Sequence, residues 1–320
     1  MSRNLLDPDL AALEDPALSI SADCANLSDI RDRLLTTLAT ILPPAATAPE
    51  VVMAPRLYDD EPSVPIRIHR PAGLPSPAPA ILHIHGGGFI MGTAGMNDGS
   101  DERLATRHRA IVASVDYRLA PETPFPGPLE DCYAAVAWLA ANADAIGIDP
   151  DRISLLGESA GGGLAAALAI LARDRGGPKL ASQFLIYPML DDRTGTPDGA
   201  QNPTSGQFGW TRASNRFGWR ALRGGQPIQA ERAGHFAPAK VRDMTGLPFT
   251  YIAVGALDLF VDESLDYGVR LLHAGVRVEL HLYPGASHGF DLVTDADVSI
   301  RFRRDLDDAL SRSLRLSPNQ

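Results

Sequence analysis

The chain has 320 residues, of which 45% are apolar and 21% are charged, and its formal net charge is −10. This composition is that of an ordinary globular protein with enough apolar side chains to fill a large core. The negative charge argues against nucleic-acid binding, which needs a basic face, and against strongly anionic ligands; neutral and cationic ligands stay open. The sequence has no run of 18 apolar residues, so no membrane-spanning helix is expected.

The N-terminal region, up to about residue 45, is predicted to be helical. Its clearest segment is the amphipathic stretch 29–42, which ends at Pro43 because proline cannot continue a helix. The start of the chain carries acids where a signal peptide needs basic residues and then an apolar run, so a cytoplasmic location is expected. Two extended runs follow at 51–58 and 64–70, and the second alternates apolar and polar residues like a half-buried strand.

From residue 79 onward, short apolar runs alternate with helical segments. The predicted strands are 80–86, 110–117, 152–157, 182–188, 249–256 and 278–284. The predicted helices are 129–143, 162–174, 263–274 and 298–314. This alternation indicates an α/β protein with a mostly parallel central sheet and helices on both faces. A stretch of about 192–234, rich in Gly, Pro, Asn and aromatic residues, interrupts the pattern and is predicted to be an insertion above the sheet.

Two segments match the pattern Gly-x-Ser-x-Gly, and their surroundings separate them. Ser159 follows a predicted strand and precedes a helix of small residues, the strand–turn–helix setting of a nucleophilic serine. Ser287 follows a strand but leads into no helix, so it is predicted to be a loop residue and Ser159 the nucleophile. The neighbouring Glu158 is expected to leave the turn on the other side and to hydrogen-bond nearby backbone.

The tetrad His-Gly-Gly-Gly at 85–88 follows a predicted strand upstream of Ser159. Glycines let a backbone N–H turn toward a developing oxyanion, and acyl-transfer intermediates need such donors. This is also the position at which lipases and esterases carry their oxyanion loop. The predicted donors are the N–H groups of Gly87, Gly88 and Ala160, and the predicted supports of the loop are His85 and Gly86.

The cysteines and the paired histidines of the oxyanion-loop region predict no metal centre. Cys24 and Cys132 lack zinc-ligand spacing and form no disulfide framework. His83 and His85 lie two residues apart, but two histidines do not complete a metal site.

A base and an acid are expected after the nucleophile, in the order serine, acid, histidine. His288 lies in a glycine-flanked loop directly after a strand and is the predicted base. Asp258 follows the preceding strand and is the predicted acid, with Asp191 and Asp192 as rivals. Asp262 is expected to favour a helix start instead. The other histidines after Ser159 are His235, which could line a pocket, His273 and His281.

Six motifs recur in the order of one known family: 85–89 HGGGF, 116–122 DYRLAPE, 157–163 GESAGGG, 185–191 LIYPMLD, 258–263 DLFVDE and 283–290 YPGASHGF. Over about 50–312 the chain resembles the bacterial hormone-sensitive-lipase-like carboxylesterases, a branch of the α/β hydrolases. One departure is Leu259, where the family often has proline after the acid.

The resemblance implies the α/β-hydrolase fold as a single domain over 1–320, with a helical cap built from about 1–45 and about 192–234. It also implies short- to medium-chain acyl esters as substrates, no cofactor, and a homodimer through the edge strand near 278–283. The segment 116–122 is expected to hold the oxyanion loop.

Four aromatic residues are candidates for a substrate pocket: Phe89, Trp210, Trp219 and Phe290. For the two tryptophans, packing of the cap onto the body is an equal alternative.

The sequence therefore predicts a serine carboxylesterase acting through an acyl-enzyme. Amide or lactone hydrolysis and acyl transfer use the same triad and stay open. A small-molecule receptor on the same fold is a more remote alternative, disfavoured because His288 is present.

Overall fold

A computed structural model describes residues 2–14, 26–55 and 63–315, and within them eight strands form one sheet. The strands are β1 (Glu50–Ala54), β2 (Val64–His69), β3 (Ala78–Ile84), β4 (Ile111–Val115), β5 (Ile148–Glu158), β6 (Ser182–Ile186), β7 (Phe249–Gly255) and β8 (Val278–Tyr283). Their order is β1-β2-β4-β3-β5-β6-β7-β8. In this order, the six strands β4, β3, β5, β6, β7 and β8 pair in parallel with one another. Strand β2 pairs antiparallel with β4, and β1 pairs antiparallel with β2. The predicted mostly parallel sheet is confirmed.

Helices cover both faces of this sheet. The described helices are α1 (Leu27–Ile41), α2 (Asp98–His108), α3 (Gly127–Ala141), α4 (Ala143–Ile146), α5 (Ala160–Asp174), α6 (Arg212–Arg223), α7 (Ala233–Phe236), α8 (Val261–His273) and α9 (Asp297–Ser313). Buried side chains of α3 and α5 belong to one core cluster, and those of α2 and α9 belong to a second. No described helix is both long enough and apolar enough to cross a membrane.

The central strand β3 shows why the sheet is buried on both faces. All its residues are buried; Leu82 and Ile84 join the cluster on one face, and Ile81 joins the cluster on the other. Continuous apolar runs of this kind suit a strand covered by helices on both sides. In β2 the predicted alternation is confirmed in part, because His69 at its end is buried as well.

Two of the longer helices, α2 and α6, have no counterpart among the predicted segments. Helix α2 has the sequence DGSDERLATRH and offers few apolar residues to reveal a periodic stripe. Helix α6 lies inside the insertion, where glycines and prolines surround it. Cys132 lies buried in α3, and Cys24 lies outside the described residues.

Candidate active site

Ser159 stands at the turn between β5 and α5, as predicted. Its backbone has φ 56° and ψ −119°, a conformation that costs a side-chain-bearing residue about 1–3 kcal/mol and is typical of functional sites. The turn needs small neighbours, because a methyl group on Gly161 would collide with the carbonyl oxygen of Ile84 in β3. Ser159 is thereby held where β5 ends, at the N-terminus of α5.

Three residues far apart in sequence meet at this turn. The Nε2 atom of His288 lies 3.0 Å from Ser159 Oγ, and its Nδ1 atom lies 2.8 Å from Asp258 Oδ2. The Asp258 carboxylate is fully buried, and its other oxygen accepts a hydrogen bond of 2.9 Å from the Phe260 amide. His288 follows β8 and Asp258 follows β7. Because these neighbouring strands are parallel, both side chains lie at the carboxyl ends of the strands, on the same side of the sheet.

The rival acids are engaged with cations elsewhere. Asp191 pairs with Arg193 at 2.7 Å. Asp192 pairs with Arg223 at 2.6 Å and also with Lys240. Asp262 lies in the first turn of α8, as predicted.

Two of the other three histidines after Ser159 have partners away from it. His235 pairs with Asp174 at 2.8 Å, and His281 pairs with Glu279 at 2.9 Å. His273 lies in the last turn of α8. Ser287 is a buried loop residue, as predicted.

The loop at 85–89 turns back on itself after β3. Gly87, Gly88 and Phe89 all have positive φ angles, of 118°, 60° and 68°. The amides of Ile90 and Met91 both donate to the Gly87 carbonyl at 3.1 Å. In the part of the chain that the structure describes, the amides of the three expected oxyanion donors, Gly87, Gly88 and Ala160, form no hydrogen bond with the protein. Within the described residues, these N–H groups are therefore left without a protein acceptor.

The segment 116–122 holds this loop, as expected. The Tyr117 hydroxyl donates to the His85 carbonyl at 2.9 Å, and its ring stacks on the His85 imidazole with 4.1 Å between centroids. The Ala120 amide donates to the Phe89 carbonyl at 2.9 Å. Burial lowers the pKa of His85 to about 4, so this imidazole is neutral near pH 7 and supports the loop through packing and hydrogen bonds.

Glu158 corrects one expectation. It does turn away from Ser159, but its carboxylate bonds the imidazole of His83, with oxygens 2.8 and 2.9 Å from Nε2, instead of nearby backbone. The other nitrogen of His83 lies 2.5 Å from Asp101, which also accepts from the Ser114 hydroxyl. A carboxylate beside each ring nitrogen binds the imidazole more strongly than a backbone carbonyl would, because both N–H groups then donate charge-assisted hydrogen bonds.

This arrangement makes His83 a buried cation. Burial alone would lower the pKa of His83, but the nearby carboxylates of Glu158 and Asp101 outweigh it and raise that pKa well above its usual value. The histidine that could have suggested a metal pair with His85 is thus part of an ion-pair network behind Ser159. Sequence reasoning missed this network because Asp101 lies in α2, the unpredicted helix.

The structure separates the four candidate pocket aromatics. Phe290 was expected near the substrate and is instead fully buried in the core, 5.5 Å from the Tyr283 ring and 5.3 Å from the Phe302 ring of α9. The positive φ of Gly289 turns the chain there into a short helical turn, which directs the ring inward.

The other three aromatics lie where the insertion meets the body. The Trp219 ring of α6 packs 5.0 Å from Phe89, and Trp210 lies against Gly88 of the oxyanion loop. A small apolar cavity of about 10 Å³ lies beside them, between α5 and the insertion. Phe89, Trp219 and His235 are among its lining residues.

Tyr187 is a further residue that the sequence did not single out. It follows β6 with φ 36°, its ring centroid lies 4.6 Å from that of the His288 imidazole, and its hydroxyl donates to Asp291 at 2.8 Å. It therefore packs against His288 and limits the movement of its ring. Its position in the motif at 185–191 is the sequence signal that could have identified Tyr187 as a site residue.

Comparison with known proteins agrees with this geometry. A family profile described as alpha/beta hydrolase fold matches residues 81–292. The chain belongs to the α/β-hydrolase family. The expected α/β-hydrolase fold is thereby confirmed, as is the resemblance to the hormone-sensitive-lipase-like esterases.

Two curated relatives that this α/β hydrolase resembles are named esterases. It is 38% identical to "Esterase LipI" of Mycobacterium tuberculosis over 72% of each chain. It is 33% identical to "Carboxylesterase NlhH" of the same organism over 91% of this chain and 90% of that protein.

Solved structures similar to this α/β hydrolase also carry esterase titles. "Bacterial Heroin Esterase" has a TM-score of 0.88 at 39% identity, covering 99% of this chain and 100% of that one. Esterase LipW from Mycobacterium marinum has a TM-score of 0.78 at 33% identity, covering 98% and 97% of the two chains.

Proposed function

We propose that this α/β hydrolase is a serine carboxylesterase that hydrolyses short- to medium-chain carboxylic esters through an acyl-enzyme. The observation that carries the proposal is the hydrogen-bonded series Ser159–His288–Asp258 at a strained strand–helix turn, with contacts of 3.0 and 2.8 Å. The esterase names of relatives that align over most of the chain support the same conclusion. No cofactor is needed for this chemistry, because the chain's own side chains supply the nucleophile, base and acid.

Acylation begins when Ser159 Oγ attacks the ester carbonyl carbon and its proton passes to His288 Nε2. Asp258 fixes the imidazole with Nδ1–H toward the carboxylate and Nε2 toward the serine, and it stabilises the imidazolium that forms. The tetrahedral oxyanion is bound by the N–H groups of Gly87, Gly88 and Ala160. Removing one such donor from a serine hydrolase costs about 10²–10³-fold in kcat.

The imidazolium then gives its proton to the departing alcohol, and the carbonyl re-forms as the acyl-enzyme. A water molecule, deprotonated by His288, attacks this ester in the second half of the cycle, and the same amides bind the second oxyanion. Collapse of that intermediate releases the carboxylic acid and returns the proton to Ser159. The N-terminus of α5 points its positive dipole end at Ser159 and favours both negatively charged intermediates.

The cap over this site is proposed to consist of about 1–45 and about 192–234. Two contacts support the assignment. Trp219 of the insertion packs on Phe89 next to the oxyanion loop. Arg31 of α1 donates to the Ile90 carbonyl at 2.7 Å and forms an ion pair with Glu122, also at 2.7 Å. Both parts of the cap therefore contact the segment that follows the oxyanion glycines.

The decisive test is hydrolysis of p-nitrophenyl esters from acetyl to palmitoyl by three proteins. These are the wild type, Ser159→Ala, and the matched control Ser287→Ala from the second Gly-x-Ser-x-Gly segment. We expect a maximum at short or medium chains for the wild type and the control, and no turnover for Ser159→Ala.

Activity surviving in Ser159→Ala would contradict the nucleophile. A folded wild type that turns over no ester would move the assignment to an amide or lactone hydrolase or an acyltransferase. If those substrates also fail, the receptor alternative would remain.

A cytoplasmic location and a homodimer stay predictions. For the dimer, β8 pairs with β7 alone among the described strands and is thus an edge strand, with Leu282 exposed on it. Cell fractionation would test the location. Light scattering after size-exclusion chromatography would test the dimer, and a monomer at micromolar concentration would contradict it.

A further inference from the structure

One short stretch of the insertion, residues 205–210, contacts the loops that carry the proposed acid, base and oxyanion donors. We call it the bridging segment. At its start, the Gly206 amide donates to the Leu257 carbonyl at 3.1 Å. A methyl group on Gly206 would lie 2.7 Å from Leu259 Cδ1, closer than carbon atoms approach. Leu257 and Leu259 flank Asp258, so the bridging segment is in tight contact with the acid loop.

The end of the bridging segment makes the other two contacts. A methyl group on Gly209 would lie 2.7 Å from the carbonyl oxygen of His288, again too close for real atoms. The next residue, Trp210, is 3% exposed, and a methyl group on Gly88 would collide with its indole ring. Successive residues of one segment therefore touch the histidine loop and the oxyanion loop.

Hydrogen bonds to α6 and to the start of the insertion stiffen the bridging segment. Arg212 donates to the carbonyls of Ser205 at 2.6 Å and Asn202 at 2.5 Å. Asn215 accepts from the Trp210 indole at 3.2 Å and donates to the Thr194 carbonyl at 2.7 Å. The segment is thus fixed at both ends by the helix that follows it.

The sheet by itself does not fix the distance between these loops. The oxyanion loop follows β3 and the histidine loop follows β8, and three strands lie between them. At about 4.8 Å per strand, these two strands are about 19 Å apart in the sheet. Their loops must lean toward each other above β5 and β6 to meet at Ser159. An element outside the sheet that touches both loops can set how far they lean.

We propose that the bridging segment is a positioning element of the catalytic machinery, which holds the acid, histidine and oxyanion loops in register around Ser159. This inference rests on the proposed serine-esterase function. The segment contributes no reacting group. It acts through the backbone of the three loops, and displacing it moves the base and the oxyanion donors relative to the nucleophile.

The chain offers a matched pair of variants to test the proposal. Gly209 and Gly225 both lie in the insertion with φ angles of 67° and 75°, so alanine brings the same backbone strain at each. Only Gly209 faces another loop, because nothing lies within 4 Å of a methyl group on Gly225. A third variant, Arg212→Gln, removes the charged hydrogen bonds to the segment without adding bulk.

The measurements are kcat and KM with p-nitrophenyl acetate, the rate at which a fluorophosphonate labels Ser159, and the melting temperature. For Gly209→Ala we expect kcat and the labelling rate to fall by about 10- to 100-fold with KM little changed, because misplacement by about 1 Å costs up to about 10²-fold. Gly225→Ala should keep the wild-type kcat, with a melting temperature lowered by the backbone strain alone and therefore lowered less than that of Gly209→Ala. Arg212→Gln should lower kcat in the same direction, and it decides the matter if Gly209→Ala does not fold.

The proposal is overturned if Gly209→Ala and Arg212→Gln keep the kcat and labelling rate of Gly225→Ala. A raised KM with unchanged kcat would also overturn it, since the segment would then be a wall of the binding pocket. Because labelling needs no substrate, an active Ser159 in a wild type without esterase activity would still report the effect. A wild type that neither hydrolyses esters nor labels would refute the proposed function, and this inference with it.

Discussion

Two histidines flank the turn that carries Ser159, and both are bound to carboxylates within 2.8 Å. His288 faces one carboxylate and one hydroxyl, and its side chain is 12% exposed. His83 faces two carboxylates, and its side chain is 1% exposed. The partner of the second ring nitrogen makes the difference. A hydroxyl that gives up its proton needs an unprotonated ring nitrogen beside it. A second carboxylate accepts a hydrogen bond and is therefore bound best by a protonated ring nitrogen. We therefore propose that the same residue type acts as a base on one side of Ser159 and stays a cation on the other.

The largest expected effect on activity tests the difference between the two histidines directly. His288→Gln should lower kcat/KM for a short-chain ester by about 10⁴-fold or more, because the serine loses its base. His83→Gln should keep most of the activity, since the glutamine leaves Ser159 and His288 in place. Steady-state kinetics on the two variants check this. Equal losses would show that the two histidines do not differ in role.

The acid can be tested against its rival in the same way. Asp258→Asn should reduce kcat by about 10⁴-fold, because the amide no longer holds the imidazole in the tautomer that accepts from serine. Asp191→Asn is the matched control, since its carboxylate bonds Arg193 instead. A full loss in the control with an active Asp258→Asn would move the acid to Asp191.

A third prediction concerns stability and follows from the raised pKa of His83. A basic group whose pKa is raised on folding stabilises the protein fully below its unfolded-state pKa, about 6.5. That contribution is lost as the pH rises toward the folded-state pKa. We expect His83→Gln to lower the free energy of unfolding by about 3–5 kcal/mol near pH 6, because it breaks a buried ion pair. The loss should be smaller at pH 9.

Urea unfolding at both pH values measures this difference. His281→Gln serves as the control, because its ion pairs lie at the partly exposed edge strand and should contribute less than about 1 kcal/mol. A difference for His83→Gln that grows with pH would refute the cationic state of His83.

The smallest expected effect concerns the pH dependence of the rate, which compares the two histidines once more. The rate should fall in acid, because only a neutral imidazole accepts the serine proton. Above about pH 5, His85 stays neutral because its pKa is lowered to about 4, and His83 stays protonated up to neutral pH because its pKa is raised. A pH profile of kcat/KM should therefore show the loss of a single proton-accepting group, and a profile that is flat down to pH 4 would contradict the assignment.

The sequence by itself determined the parts of this protein that are local. The apolar runs predicted the central strands β3 to β7, because a strand covered on both faces is apolar over most of its length. The setting of Ser159 between a strand and a helix of small residues separated it from Ser287. The glycines after β3 indicated the oxyanion loop, since few other residues adopt positive φ angles there.

Only the tertiary structure decided which distant residues meet. Helix α2 has almost no apolar stripe to predict it from sequence. Its buried Asp101 contacts His83 only in the folded chain, and no sequence spacing indicates that contact. Phe290 shares a motif with His288, yet the turn at Gly289 sends its ring into the core. The contacts of the bridging segment join residues that lie about 50 to 120 positions apart, and no local pattern encodes them. Strand order and loop closure fix such distances, and these depend on how the whole chain packs.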